Sequence, residues 1–237
     1  QHTRSMRIRA LLHGFVPWFL PLAAVTTAQA AEPSPWPLRD KTLVVWASPA
    51  NLSQRGGSAL TVEGSGSAFD AVVLGEISPG RWMAGSDGFR RTQRMQESYP
   101  VETATGGVTA QIAIVYRGRE ISIYRNGEPA GHYTVEDPLV LEEDTRVLMG
   151  LRHLTAAPAD RFFKGSIDDA RVYGMALTRD QIAGLKANEA SDPAPVAWWD
   201  FEDGSVSDRR GAFAAAVLAG GARVAGGRLQ LLEEGAY

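Results

Sequence analysis

Two tight turns, Arg117-Gly118 and Asn126-Gly127, separate three runs of alternating apolar residues, and they constrain the fold of this chain more than any other feature. Asn-Gly is the residue pair a two-residue primed hairpin demands, because both central positions take positive φ. Three consecutive antiparallel strands therefore form a meander over residues 109–135, with the turn at 117–118, just upstream, joining its first two strands. Counting those three, strand-like runs lie at 43–47, 59–62, 71–74, 111–116, 120–124, 131–135 and 146–151. Short strands at this spacing indicate an all-β antiparallel β-sandwich.

Residues 163–185, FKGSIDDARVYGMALTRDQIAGL, join a strand carrying paired acids to a short helix. Strict alternation over 166–173 puts Asp168, Ala170 and Val172 on one face and Ile167, Asp169, Arg171 and Tyr173 on the other. Thr178 followed three residues later by Gln181 is a capping box, so a helix should run from Arg179 to about Lys186. Ile182 and Leu185 share a face of it, which predicts that the helix is pinned to the sandwich edge.

The run Gly165, Ile167, Asp168, Asp169, Arg171, Tyr173, Ala176, Leu177 and Ile182 resembles the closing segment of a laminin-G-like module of the concanavalin A-like jelly-roll superfamily. The hairpins of the meander resemble the central strands of the same superfamily. Downstream, Trp198, Phe201, Asp208 and Gly211, then Gly227, Leu229, Leu231, Gly235 and Tyr237, resemble the segment with which such modules open. The resemblance implies a jelly roll with one short C-terminal-side helix. It also implies an accessory domain of secreted proteins that contacts glycans or other proteins, and in some members holds calcium.

The closing-type segment here precedes the opening-type one, so two readings stand side by side. In one, a single sandwich is circularly permuted, and residues 196–237 complete a body formed by 38–190 through a Pro-rich linker at 191–195. In the other, 196–237 begin a second module that is cut short. The connector 186–196 would reach about 30 Å if extended, enough to cross a sandwich. Unpaired sheet edges invite aggregation, which favours the tail filling the gap.

Residues 6–30 have a basic start, an apolar stretch and a small-residue end at Ala28-Gln29-Ala30, the pattern of a secretory signal peptide, with residues 1–5 upstream of it. A secreted or periplasmic protein is expected. Pro17 and Pro21 interrupt the apolar part, so no membrane span should remain after cleavage. Without residues 1–30, Lys+Arg falls from 24 to 21 against 27 acids, a net charge of −6. That balance argues against nucleic acid as a partner. The chain has no cysteine, so thiol catalysis, disulfides and cysteine zinc sites are excluded.

The long segment 78–100 mixes aromatic and basic residues, and Trp82, Asp87, Phe89, Arg90 and Arg91 form its candidate ligand surface. Aromatic faces suit sugar rings, and polar neighbours can orient hydroxyls. The competing reading packs Trp82 under the loop and docks the arginines on an acidic neighbour. Trp198 and Trp199 must point one inward and one outward, with Trp199 assigned to the ligand surface. Asp168 and Asp208 are candidate calcium ligands in the permuted arrangement, the resemblance placing an acid near a calcium site at Asp208. Against that, Arg209 and Arg210 replace the small residues expected there, and Asp168 can be satisfied by an arginine or by backbone donors. His132 and His153 are isolated.

No strand carries the alternating acids with which sandwich-fold glycosidases flank a scissile bond, and no Gly-x-Ser-x-Gly elbow or phosphate loop occurs. The sequence thus points to a non-catalytic recognition module, bound to a glycan or polysaccharide and attached to a downstream domain. Alternatives are a structural or adhesive module that docks protein, and the N-terminal fragment of a glycoside hydrolase whose catalytic domain is missing.

Overall fold

The computed structural model describes residues 34–155 and 162–237, and the proposed signal peptide lies outside them. Twelve strands are described: β1 (Lys41–Pro49), β2 (Gly57–Glu63), β3 (Phe69–Leu74), β4 (Trp82–Ser86), β5 (Ala110–Arg117), β6 (Glu120–Arg125), β7 (Glu128–Thr134), β8 (Arg146–Leu148), β9 (Gly165–Tyr173), β10 (Ala197–Trp199), β11 (Arg223–Ala225) and β12 (Arg228–Leu231). One helix, α1 (Arg179–Gly184), follows β9. The large sheet has the order β11-β12-β9-β1-β5-β6-β7, with β10 also on β9, and the small sheet runs β4-β3-β2-β8. All pairs between these strands are antiparallel. The jelly-roll sandwich expected from the sequence is therefore the fold.

The meander is built as its turns require. Asn126 and Gly127 have φ of 51° and 78°, and the Asn126 side chain accepts from the Gln111 amide. Alternation then sorts β1 and β5: Leu43, Val45, Ala47, Ile112 and Ile114 enter the inter-sheet core, while Val44, Trp46, Ala113 and Val115 face the other way. That second face is buried too, under Leu177 and Ile182. Helix α1 thus covers the outer face of the large sheet rather than pinning its edge. Its capping box is formed, with Thr178 Oγ1 accepting from Gln181 N and Gln181 Oε1 accepting from Thr178 N. Such a cap is worth about 1 kcal/mol, and burial of Ile182 adds about 2 kcal/mol. The helix ends at Gly184, short of the expected Lys186, because Leu185 is already extended.

Strict alternation fails at one point of β9. Trp46 pairs with Asp169 and Ala47 with Ile167, so Asp168 is the extra residue of a β-bulge. The bulge turns Ile167 onto the core face with Ala170 and Val172, whereas Asp169, Arg171 and Tyr173 remain on the outer face. Strand β4 was not expected within 78–100. It forms because Trp82 and Ala84 fill the core while Met83 joins Phe69, Ala71 and Val73 outside.

The other edge of β9 is shared by two tail strands. β10 pairs with its second half, Ala197 opposite Val172, and β12 with its first half, Leu229 opposite Ile167. β11 and β12 form a hairpin through Gly226 and Gly227, both at positive φ. The small sheet does not extend as far: β2 lies over β1, β3 over β5 and β4 over β6, and the sheet ends at the three-residue β8.

Candidate functional site

The segment after β4 is held by charge rather than by regular pairing. Asp70 points from β3 into the space between the sheets, with Lys41 Nζ 2.9 Å from its Oδ2 and Arg91 Nε 2.8 Å from its Oδ1. Arg91 also donates to Phe69 O and, at 2.5 Å, to Asp87 Oδ1. Each buried charge is therefore opposed, as burial requires. Lys41 additionally donates to Leu139 O and lies over the Tyr116 ring. Burial opposes ionisation of Asp87, but the hydrogen bond and charge of Arg91 outweigh it and hold the carboxyl below its usual range. Burial lifts the Tyr116 hydroxyl well above the usual phenol range.

A second anchor lies at the far end of the segment. Trp82 is 4% exposed, and its Nε1 donates to Glu102 Oε2 at 2.7 Å. Glu102 also receives Arg125 and the amides of Thr103 and Ala104. Burial works against its charge, yet these donors, Arg125 first, keep its carboxyl below the usual range.

These anchors correct part of the expected ligand surface. Trp82 and Arg91 are internal struts: one completes the core, the other neutralises Asp70, and neither offers a face to a ligand. Asp87 and Phe89 remain half-buried at the surface, and Arg90 is exposed. Asp87 and Phe89 line a cleft of about 410 Å³ over the outer face of the small sheet, together with Phe69, Ser86, Arg152 and His153. His153 stacks on Phe69 with ring centroids 5.1 Å apart, and Arg94 lies 4.8 Å from the Phe89 centroid. Arg90 lines a separate cleft of about 410 Å³ with Gln93, Tyr133 and Asp137.

Arg152 and His153 escaped the sequence reading as partners of this surface. No local signal marks them, because they reach the cleft only after β8 pairs with β2 and the chain returns over β3. Arg152 is paired with Glu76, another lining residue.

The two tryptophans are placed opposite to the assignment. Trp199 is the inward residue, 3% exposed, whereas Trp198 faces out. The register with β9 decides this, since Trp199 opposes core-facing Ala170 and Trp198 opposes Arg171. Trp198 is itself committed: its Nε1 donates to Asp169 Oδ2, and its ring lies 4.8 Å from the Arg171 guanidinium. Trp46 covers the other contact of that guanidinium at 5.0 Å, and Arg171 grips both Asp169 oxygens. Burial pushes the Asp169 carboxyl up despite this pairing.

The candidate calcium ligands are engaged elsewhere. Asp168 pairs with Arg228 at 3.3 Å, and Asp208 accepts the backbone amides of Trp198, Arg210 and Phe213. Asp208 thereby ties the turn after β10. Among the described residues no group of three or more metal-ligating side chains is gathered, and no helix is long and apolar enough to cross a membrane.

Two antiparallel sheets, a buried closing strand and a cleft built on loops define a lectin-type sandwich rather than a nucleotide-binding α/β fold. The chain belongs to the concanavalin A-like lectin/glucanase superfamily, whose laminin-G-type family matches residues 23–183. The tail strands β10 to β12 lie beyond that match. Among solved structures, a putative carbohydrate binding protein from Bacteroides ovatus is similar over 73% of this chain and 50% of its own, at 14% identity and a TM-score of 0.52. Domain 4 of a GH43 extracellular arabinanase from Geobacillus stearothermophilus, in complex with arabinotriose, is 17% identical over 61% of this chain and 65% of its own, with a TM-score of 0.47. A putative S-adenosyl-L-methionine-dependent methyltransferase of Mycobacterium bovis (strain BCG / Pasteur 1173P2) is 30% identical over 132 residues, 55% of this chain. The chain spans 40% of the length of that relative.

Proposed function

We propose that this chain is a non-catalytic recognition module that binds carbohydrate in the cleft beside Asp87 and Phe89. The observation that carries the reading is a half-buried aromatic ring set next to a carboxylate whose position is fixed from below by buried Arg91. A sugar ring would lie against Phe89, with its hydroxyls meeting Asp87, Ser86 and Arg152. A recognition role fits the commitment of the paired acids of β9, one to Arg228 and one to Arg171. The methyltransferase name of the Mycobacterium relatives belongs to proteins of which this chain matches less than half. The matched family here folds as antiparallel sheets.

Isothermal titration against a panel of neutral and acidic polysaccharides tests the reading. Phe89→Ala should weaken binding at least about tenfold, as loss of an aromatic anchor does, with little change in Tm. Absence of binding across the panel, or binding indifferent to Phe89, would sink it. A second reading, docking of a neighbouring domain of the same polypeptide, is favoured by the exposed apolar side chains of Met95 and Val101, which follow Arg90 in the sequence. Charge reversal at Arg90 would weaken docking while sparing glycan affinity.

The same proposal includes export through the 6–30 leader and a circularly permuted single module. The pairing of β10 and β12 with β9 supports the latter. Hydrogen exchange on residues 31–237 and on a truncation ending at Asn188 tests it: protected tail amides and a melted core in the truncation are expected. A freely exchanging tail would mean that the truncated-tandem reading is correct.

A further inference from the structure

The small sheet ends at β8, and that end is open. β8 pairs with β2 on one side, and among the described residues its backbone makes no hydrogen bond on the other. An unpaired edge presents a row of N–H and C=O groups, a template for one more strand. Beside this edge lies a cavity of about 460 Å³, lined by residues 145–149, which include all of β8. Buried Trp199, Phe201 and Leu229 also line it, as do exposed Val217 and Leu218. Val147 packs towards the core, as does Val62 opposite it. A strand added to β8 would therefore send every second side chain into an apolar space.

Charge at one end of β8 gives such a strand a direction. Glu142, Glu143 and Asp144 lead into β8, all three exposed and, among the described residues, without an ion pair. In an antiparallel addition, the arrangement of β8 on β2, the C-terminal end of the newcomer meets this acidic turn. We propose that β8 accepts an extended peptide as an added antiparallel strand, with alternate apolar residues turned into the cavity and basic residues at its C-terminal end. Main-chain pairing aligns the peptide, and the cavity selects its side chains. The three residues of β8 offer few backbone bonds, so apolar burial supplies much of the affinity. The site is separate from the Phe89 cleft and does not depend on sugar binding there.

The probe is the peptide acetyl-VTVTVTKK-amide, titrated calorimetrically into the protein. It should bind more tightly than about 1 mM and slow hydrogen exchange in β8. Two further versions carry N-methyl groups on alternate amides, one set in each register. The set that faces β8 should lose at least about tenfold in affinity, because its backbone donors are gone, while the set that faces away binds like the parent. Glu142→Lys combined with Glu143→Lys, both at exposed positions, should weaken the parent about threefold at low salt. Absence of binding overturns the proposal, as does equal affinity of the two methylated versions, which would mean that side chains alone hold the peptide. Affinity indifferent to the lysine substitutions, or unchanged exchange in β8, overturns it too. A dimer in sedimentation whose β8 amides are protected without peptide would overturn it in favour of a second copy of the chain.

Discussion

The two ends of the small sheet solve the same problem in opposite ways. At the β4 end the chain leaves the sheet and is fixed by charge, with Lys41, Asp70, Arg91 and Asp87 in series and Glu102 gripped by Arg125 and Trp82. At the β8 end the sheet stops after three residues, and apolar side chains from an irregular segment lie over β12 without filling the space. Buried ion pairs demand near-complete satisfaction and therefore fix a geometry. Loose apolar cover makes no such demand, so it can leave a void. The first end presents a shaped polar cleft and the second an apolar cavity.

That comparison breaks if the ends respond alike to mutation. Arg91→Ala should have the largest effect, about 3–5 kcal/mol in urea unfolding, because it leaves Asp70 buried with one cation in place of two. Phe213→Ala, at the wall of an existing cavity, should cost about 1–2 kcal/mol, less than a fully packed aromatic. Equal costs would mean that the β8 end is packed as tightly as the β4 end. The smallest effect is on acid sensitivity. Asp87 and Glu102 have folded-state carboxyls below their usual values, so their contribution is complete above the unfolded range and is lost as pH falls through the folded values. Thermal melts from pH 5 downwards should fall less steeply in Glu102→Gln than in the wild type, from a lower starting Tm. Phe213→Ala should keep the wild-type slope.

The fold was legible because its signals are local. Asn126-Gly127 sets a turn whatever surrounds it, and Thr178 with Gln181 caps a helix using atoms three residues apart. Strand β4 was hidden because Gly80, Gly85 and Gly88 punctuate a run rich in arginine, and only pairing with β3 makes it extended. The cleft was legible in half. Asp87 and Phe89 lie in the segment that composition singled out, whereas Arg152 and His153 arrive from a distant part of the chain.

The sequence by itself determined the antiparallel meander, the capped helix, the absence of thiol chemistry and the acidic balance, since each follows from residue type and short-range geometry. Tertiary structure alone decided which member of each adjacent pair does what. The bulge at Asp168 turned Ile167 into the core, and the register against β9 turned Trp199 inward and Trp198 out. Side chains on a strand alternate with a period of two, so a single inserted residue or a one-residue slip exchanges the faces. Only the partner strand fixes that choice.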